Sequence, residues 1–140
     1  MDFNFTSQIC TTRSQSERLL ALGLKKETAD MHHYQYVEGG RWNIEARPSI
    51  VGYNNRLVPA WSLHRLIEMM PDCITLKDND IEEDYNNAAL EIHHKAVIYE
   101  SFMVKIYKFK KETNNLYDNL IDCIQWLIKE GYFNKNYLKE

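Results

Sequence analysis

Residues 90–131, LEIHHKAVIYESFMVKIYKFKKETNNLYDNLIDCIQWLIKEG, carry two different periodicities in succession. Leu90 and Ile92 alternate with Glu91 and His93, and Phe102, Val104 and Ile106 alternate with Met103, Lys105 and Tyr107. A period of two is the mark of half-buried antiparallel strands, and Ala96 to Tyr99 join the same meander. The polar run Lys108 to Asn115 then leads out of the sheet. From Asp118, the expected N-cap, the period becomes 3.6: Leu120, Ile121, Ile124, Leu127 and Ile128 share one face, opposite Asp122, Gln125 and Lys129. Gly131 ends this helix, with Tyr132 set to fold back on Leu127. An amphipathic helix that must bury one face, following strands that must bury one face, predicts an α+β fold.

The upstream half adds elements of the same kind. Ser14-Gln15-Ser16-Glu17 has the form of a capping box, and the helix it opens ends at Gly23, with Leu24 returning onto Leu19. Met31 to Val37 reads as a strand, Glu38-Gly39-Gly40-Arg41 as a turn, and Trp42 to Glu45 as its hairpin partner. Residues 46–58 read as a connection with a short strand at Ile50-Val51. Ser62 caps a helix to Met70, with Trp61 and Leu66 as a hydrophobic staple and Pro71 as its stop; Ile74 and Leu76 suggest another short strand. The expectation is a single α+β domain spanning 1–140, an antiparallel sheet of three to five strands with two or three helices on one face. Residues 1–12 and 134–140 are expected to fray.

Composition bounds the function. With 140 residues, 44% apolar and 26% charged, the chain can bury one core and keep an ordinary solvated exterior. No run approaches the roughly 20 apolar residues that cross a bilayer. Cys10, Cys73 and Cys123 have no close spacing and cannot all pair, so reduced thiols and a soluble cytoplasmic protein are expected, with no membrane partner. The net charge of −3 is uneven: residues 61–94 hold 2 basic and 8 acidic side chains. Asp78, Asp80, Glu82, Glu83 and Asp84 make a solvated loop rather than an EF-hand, because loop positions 6 and 12 would be Glu83 and Ala89 instead of Gly and Glu. A pI near 6.0 disfavours general nucleic-acid affinity.

Three segments together resemble a group of small proteins of prophages and mobile elements from gut anaerobes. They are Ser16 to Leu24 with Thr28-Ala29-Asp30-Met31, Pro59-Ala60-Trp61-Ser62-Leu63 with Met70-Pro71, and Tyr117-Asp118-Asn119 through Trp126 to Tyr132. Leu120 stands where the group has proline after Tyr-Asp-Asn. The resemblance implies a genomic setting and brings no activity, ligand or cofactor with it.

Histidine is the natural place to look for chemistry. His32-His33 and His93-His94 are adjacent pairs, and neighbours on a strand face opposite ways, so a shared metal would need one ring from each pair, His33 and His93 for example. The simpler reading puts one ring of each pair in solvent and one at the core edge. His64 and Glu68, four apart on the second helix, could hold a metal or merely touch each other. No G-x-S-x-G elbow is present, Ser62 is better explained as a cap than a nucleophile, and Gly39-Gly40 lacks the Lys and Ser/Thr of a phosphate loop.

Aromatic residues are more informative, since nine tyrosines, five phenylalanines and three tryptophans exceed what one modest core must hold. The reading this favours is a non-enzymatic binding or adaptor protein of a mobile element, with no cofactor, acting on a protein through Trp42, Tyr53, Arg56 and Trp61. The alternative is a small metal-dependent hydrolase built from His32 or His33, His93 or His94 and a carboxylate. A nucleic-acid face is the weaker third reading: Tyr99, Tyr107 and Phe109 interleave with Lys105, Lys108, Lys110 and Lys111, which read more readily as an edge strand guarded by lysines. Met103, Tyr107 and Phe109, on one side of that strand, would also suit a symmetric homodimer.

Overall fold

Thr12, two residues ahead of the expected cap, opens the first helix, α1 (Arg13–Ala21). Its hydroxyl accepts from the Gln15 amide at 3.1 Å, and the Gln15 side chain accepts from the Thr12 amide at 3.0 Å, a capping box shifted from Ser14/Glu17 to Thr12/Gln15. The far end is as read: Gly23 takes φ +103°, its amide donates to Leu20 O and the Leu24 amide to Leu19 O, the paired bonds of a Schellman end.

The computed structural model describes residues 7–47, 56–75, 87–101 and 106–140. They belong to two compact units, Met1–Leu66 with Tyr137–Glu140, and Ile67–Asn136. The acidic run Asp78 to Asp84, the strand suggested at Ile50-Val51, Leu76, Tyr53 and residues 102–105 lie outside the described residues.

In the first unit β1 (Met31–Tyr34) is the middle strand of an antiparallel sheet in the order β2-β1-β3, with β2 (Asn43–Glu45) and β3 (Leu57–Ala60) at its edges. His33 pairs with Ile44 on one side and Val58 on the other. β3 replaces the connection expected up to residue 58. Its Pro59 lacks an amide proton and is therefore tolerated only because β3 is an edge. α1 lies against β3, and Cys10, Met31 and Ala60 form a buried cluster. The chain end expected to fray is tied down instead: Lys25 N donates to Tyr137 O at 2.9 Å and Lys139 N to Gly23 O at 2.8 Å, flanking a bridge between Leu24 and Leu138.

α2 (Leu63–Glu68) is capped as expected, with Ser62 Oγ accepting from Arg65 N at 3.2 Å. Asp30 holds the cap itself, accepting from both the amide and the hydroxyl of Ser62. Trp61 is fully buried, its indole donating to Thr28 Oγ1 at 2.9 Å.

The second unit is a meander in the order β4-β5-β6-β7: Cys73–Thr75, Asn87–His93, Ala96–Ser101 and Tyr107–Glu112, all antiparallel. Lys108 to Glu112, expected to leave the sheet, form most of its last strand, because an edge strand can solvate its lysines while Phe109 turns inward. α3 (Leu116–Glu130) lies against β6 and β7 and buries Leu120, Ile121, Ile124 and Leu127 completely. Its cap is Asn115, which accepts from Asp118 N at 3.1 Å, so Asp118 falls in the first turn rather than at the cap. Gly131 at φ +80° and the Tyr132 amide on Leu127 O close it as read. The α+β class therefore holds, with strands divided into sheets of three and four and three helices shared between them.

Asn119, fully buried at the foot of α3, accepts from Thr113 Oγ1 at 2.6 Å and donates to Lys95 O at 3.0 Å. It thereby ties the β5–β6 turn and the exit of β7 to the helix. Asn119→Leu keeps the volume and removes these bonds, while Lys95 O keeps the Thr113 amide and Thr113 Oγ1 keeps Asn115 O, so the expected cost in a urea titration is about 0.5–1.5 kcal/mol per bond lost.

Candidate functional site

The first hairpin concentrates the unusual surface chemistry. Alternation sends Met31 and His33 to the face shared with Cys10, and His32, Tyr34 and Tyr36 to the other. These three rings run in a row, with centroids 5.6 Å apart from His32 to Tyr34 and 4.8 Å, edge to face, from Tyr34 to Tyr36. The turn that follows is held locally: Gly40 N donates to Val37 O at 2.8 Å, Gln35 Nε2 to Gly40 O at 2.7 Å, and Gly39 takes φ +75°. A Cβ at position 40 would stand 2.9 Å from Val37 O, which explains the second glycine. At the tip Tyr36 is 77% and Val37 69% exposed.

Arginines frame this tip. Arg56 Nη1 donates to Tyr36 O at 3.3 Å, and the Arg13 guanidinium lies 4.2 Å over the Trp42 ring. On the row's inner end, His32 Nε2 meets Glu45 Oε2 at 3.0 Å and its Nδ1 meets Arg47 O at 2.9 Å, while Arg47 Nε shares the same carboxylate oxygen at 3.2 Å. Both ring nitrogens face acceptors. His32 is thus a clamp between β1 and the strand after the turn. Of the surface residues expected from sequence, Trp42 and Arg56 belong here. Trp61 does not, because the core has taken its ring. The signal that identifies Tyr34 and Tyr36 was their spacing of two from His32.

Behind the sheet, Cys10 Sγ lies 3.9 Å from His33 Nε2, a thiol–imidazole pair that their separation in sequence concealed. It is disarmed for nucleophilic work. His33 Nε2 donates to Thr11 O at 2.7 Å and so has no lone pair for the thiol proton, and burial, with the Asp30 charge second, pushes the Cys10 thiol up to about 11. Thr11 Oγ1 in turn accepts from Trp61 N and is 2.7 Å from Ser16 Oγ, completing a buried polar strut.

Burial also lowers His33 below the ordinary histidine value, opposed by the Thr11 bond and aided by the Arg13 and His32 charges. The unfolded ring takes a proton as pH falls through about 6.5 while the folded ring still refuses it. Stability from this group is therefore complete above that pH and is lost below it, down to the folded value, with a one-proton slope of at most about 1.4 kcal/mol per pH unit. His33→Gln, whose amide can still donate to Thr11 O, is expected to flatten the fall in urea midpoint between neutral and mildly acidic pH relative to the parent chain.

The remaining candidates are dispersed. His93 and His94, in the second unit, are exposed, with His93 Nε2 3.8 Å from Glu91. His64 and Glu68 are both exposed on α2. Among the described residues no group of three or more His, Cys, Asp or Glu is placed to hold a metal ion. Ser62 gives its proton to Asp30 as part of the cap.

On β7, Phe109 lies 5.3 Å from Trp126, which also meets Tyr99 and Tyr132; Tyr99 is fully buried, its hydroxyl on Pro71 O. Lys111 pairs with Asp122 at 3.2 Å, and Lys110 lies over the Tyr107 ring at 4.8 Å. Of the three aromatic residues in the nucleic-acid reading, Tyr99 is lost to the core, Phe109 is half-buried and Tyr107 is exposed beside Lys108. Phe109, which the dimer reading also used, has its ring against Trp126 of α3.

No helix among the described residues is long and apolar enough to cross a membrane, and the three cysteines are free thiols. Comparison of the chain with protein-family models, with curated proteins and with solved structures gives no match.

Proposed function

We propose that this is a non-enzymatic, cytoplasmic binding protein of a mobile element that docks a partner protein on its β1–β2 hairpin. The observation that carries the reading is the hairpin tip, where Tyr36 and Val37 stand exposed on a backbone fixed by Gln35, Gly40 and Arg56. Aromatic and arginine side chains with little freedom left to lose are what protein interfaces use as anchors. Trp42, stacked under Arg13, stands on the opposite face of the same hairpin.

A photo-crosslinking side chain at position 36, in the native host, is expected to trap one protein reproducibly, and Val37→Asp to abolish that adduct without lowering the melting temperature. Trapping the same protein from position 130, in the other unit, or no adduct at position 36, would sink the reading.

A further inference from the structure

The outer edge of β2 adds something that the hairpin tip does not. β2 ends the order β2-β1-β3, so among the described residues its outward row of N–H and C=O groups has no strand partner. Edge strands are ordinarily blunted by shortness, charge, proline or a bulge, and of these β2 has its three-residue length and Glu45, whose carboxylate is already engaged. Asn43, Ile44 and Glu45 contain neither lysine nor proline, their register with β1 is unbroken, and Ile44 is 45% exposed.

Charge then says what fits there. Trp42 and Ile44 project to one face and Asn43 and Glu45 to the other. Arg13 stands on the first face over Trp42, and Arg47 on the second against Glu45. Residues 41–47 with Arg13 hold three guanidinium groups and one carboxylate, and that carboxylate already faces both His32 and Arg47. The edge therefore carries a net positive charge, with Arg13 on one face and Arg47, its Nε on Glu45, on the other. A strand laid beside it would place successive side chains next to Arg13 and Arg47 in turn.

Resting on the hairpin as the docking surface, we propose that the partner contributes an extended acidic segment, added to β2 as a fourth strand with neighbouring carboxylates on Arg13 and Arg47. Main-chain pairing supplies affinity and the two arginines supply selection. A nucleic-acid strand would satisfy the arginines but brings no row of alternating donors and acceptors for the β2 main chain.

The test uses the whole chain and a labelled peptide Val-Thr-Glu-Glu-Thr-Val, read by fluorescence anisotropy. About tenfold weaker binding is expected for the same peptide with lysine in place of glutamate, for one N-methylated on alternate amides, and for an Arg13→Gln/Arg47→Gln chain of unchanged melting temperature. Amide exchange at Asn43–Glu45 should slow when the glutamate peptide is added. Equal binding of the lysine or N-methylated peptide, an unaffected double variant, no binding at all, or displacement by an oligothymidine would each overturn strand addition. A position-36 adduct that survives those results would leave hairpin docking standing and remove only the acidic strand.

Discussion

Ile124→Asp is expected to leave the second unit unfolded at room temperature, seen as loss of the helical far-ultraviolet signal and of any cooperative urea transition. Ile124 has no exposed surface and sits mid-way along the α3 face, with Leu120, Ile121 and Leu127 equally buried. The change forfeits about 1.5–3 kcal/mol of apolar burial. It also buries a carboxylate among these apolar side chains, at several kcal/mol more. Together these reach the lower end of the 5–15 kcal/mol that holds an ordinary domain, roughly. Lys129→Gln, on the exposed side of the same helix, should stay within about 0.5 kcal/mol of the parent. If Ile124→Asp melts like the parent, the α3 face does not pack as described. Leu66→Asp should do the same to the first unit, since Leu66 is equally buried. Glu83→Lys, in the acidic run, is expected to move the melting temperature very little.

Trp61→Ala should be the most damaging truncation in the first unit, at about 3–5 kcal/mol. The ring is the largest fully buried side chain of its unit, and its main chain exchanges two hydrogen bonds with Thr11, N to Oγ1 at 3.1 Å and O from N at 2.9 Å. Those backbone bonds survive the truncation, so the loss is of volume and contact. Trp61→Phe separates the two contributions of the indole. It refills part of the space and removes the bond to Thr28, whose hydroxyl still donates to Lys25 O at 2.6 Å. It should therefore recover more than half of the alanine loss in denaturant midpoint; a phenylalanine variant as weak as alanine would mean that the indole N–H, not the ring, fixes this corner.

For α1 and α3 the helix ends were legible in the sequence and the starts were not, for a physical reason, whereas Ser62 did mark the start of α2, which stops at Glu68 ahead of the expected Met70. Gly23 and Gly131 are the residues that tolerate positive φ where each helix stops, and no neighbour competes with them. At the starts, Thr12 competes with Ser14, and Asn115 with Asp118; all four side chains accept from an amide equally well, so context decides. Pro59 concealed β3, because proline argues against a strand unless its edge position is known. The lysines of β7 concealed a strand whose inward residue is Phe109. Period two reveals a strand but not its neighbour, which is why the division into two sheets was out of reach.

The site was legible in part. Trp42 and Arg56 stood out by type, whereas Trp61 had the same type and a buried destination. The Cys10–His33 contact depends on two segments meeting, which composition and spacing do not report. His32 and His33 were read as one wet ring and one ring at the core; in the fold both are buried, one in a clamp between strands and one in a strut against Thr11.

The bonds that tie Tyr137 and Lys139 to Lys25 and Gly23 also set an order of events during synthesis. The first unit includes Tyr137–Glu140, while Ile67–Asn136, about 70 residues, belong to the other. At about 5–20 residues per second, a ribosome needs roughly 4–14 s to pass through that insert. Throughout that interval Gly23 and Leu24 wait without their partners, although the first sheet is already made. Residues 137–140 thus complete the unit begun first only after the whole insert has been made, and nascent chains halted before residue 137 should present a protease with a cut site near Leu24, which the full fold buries.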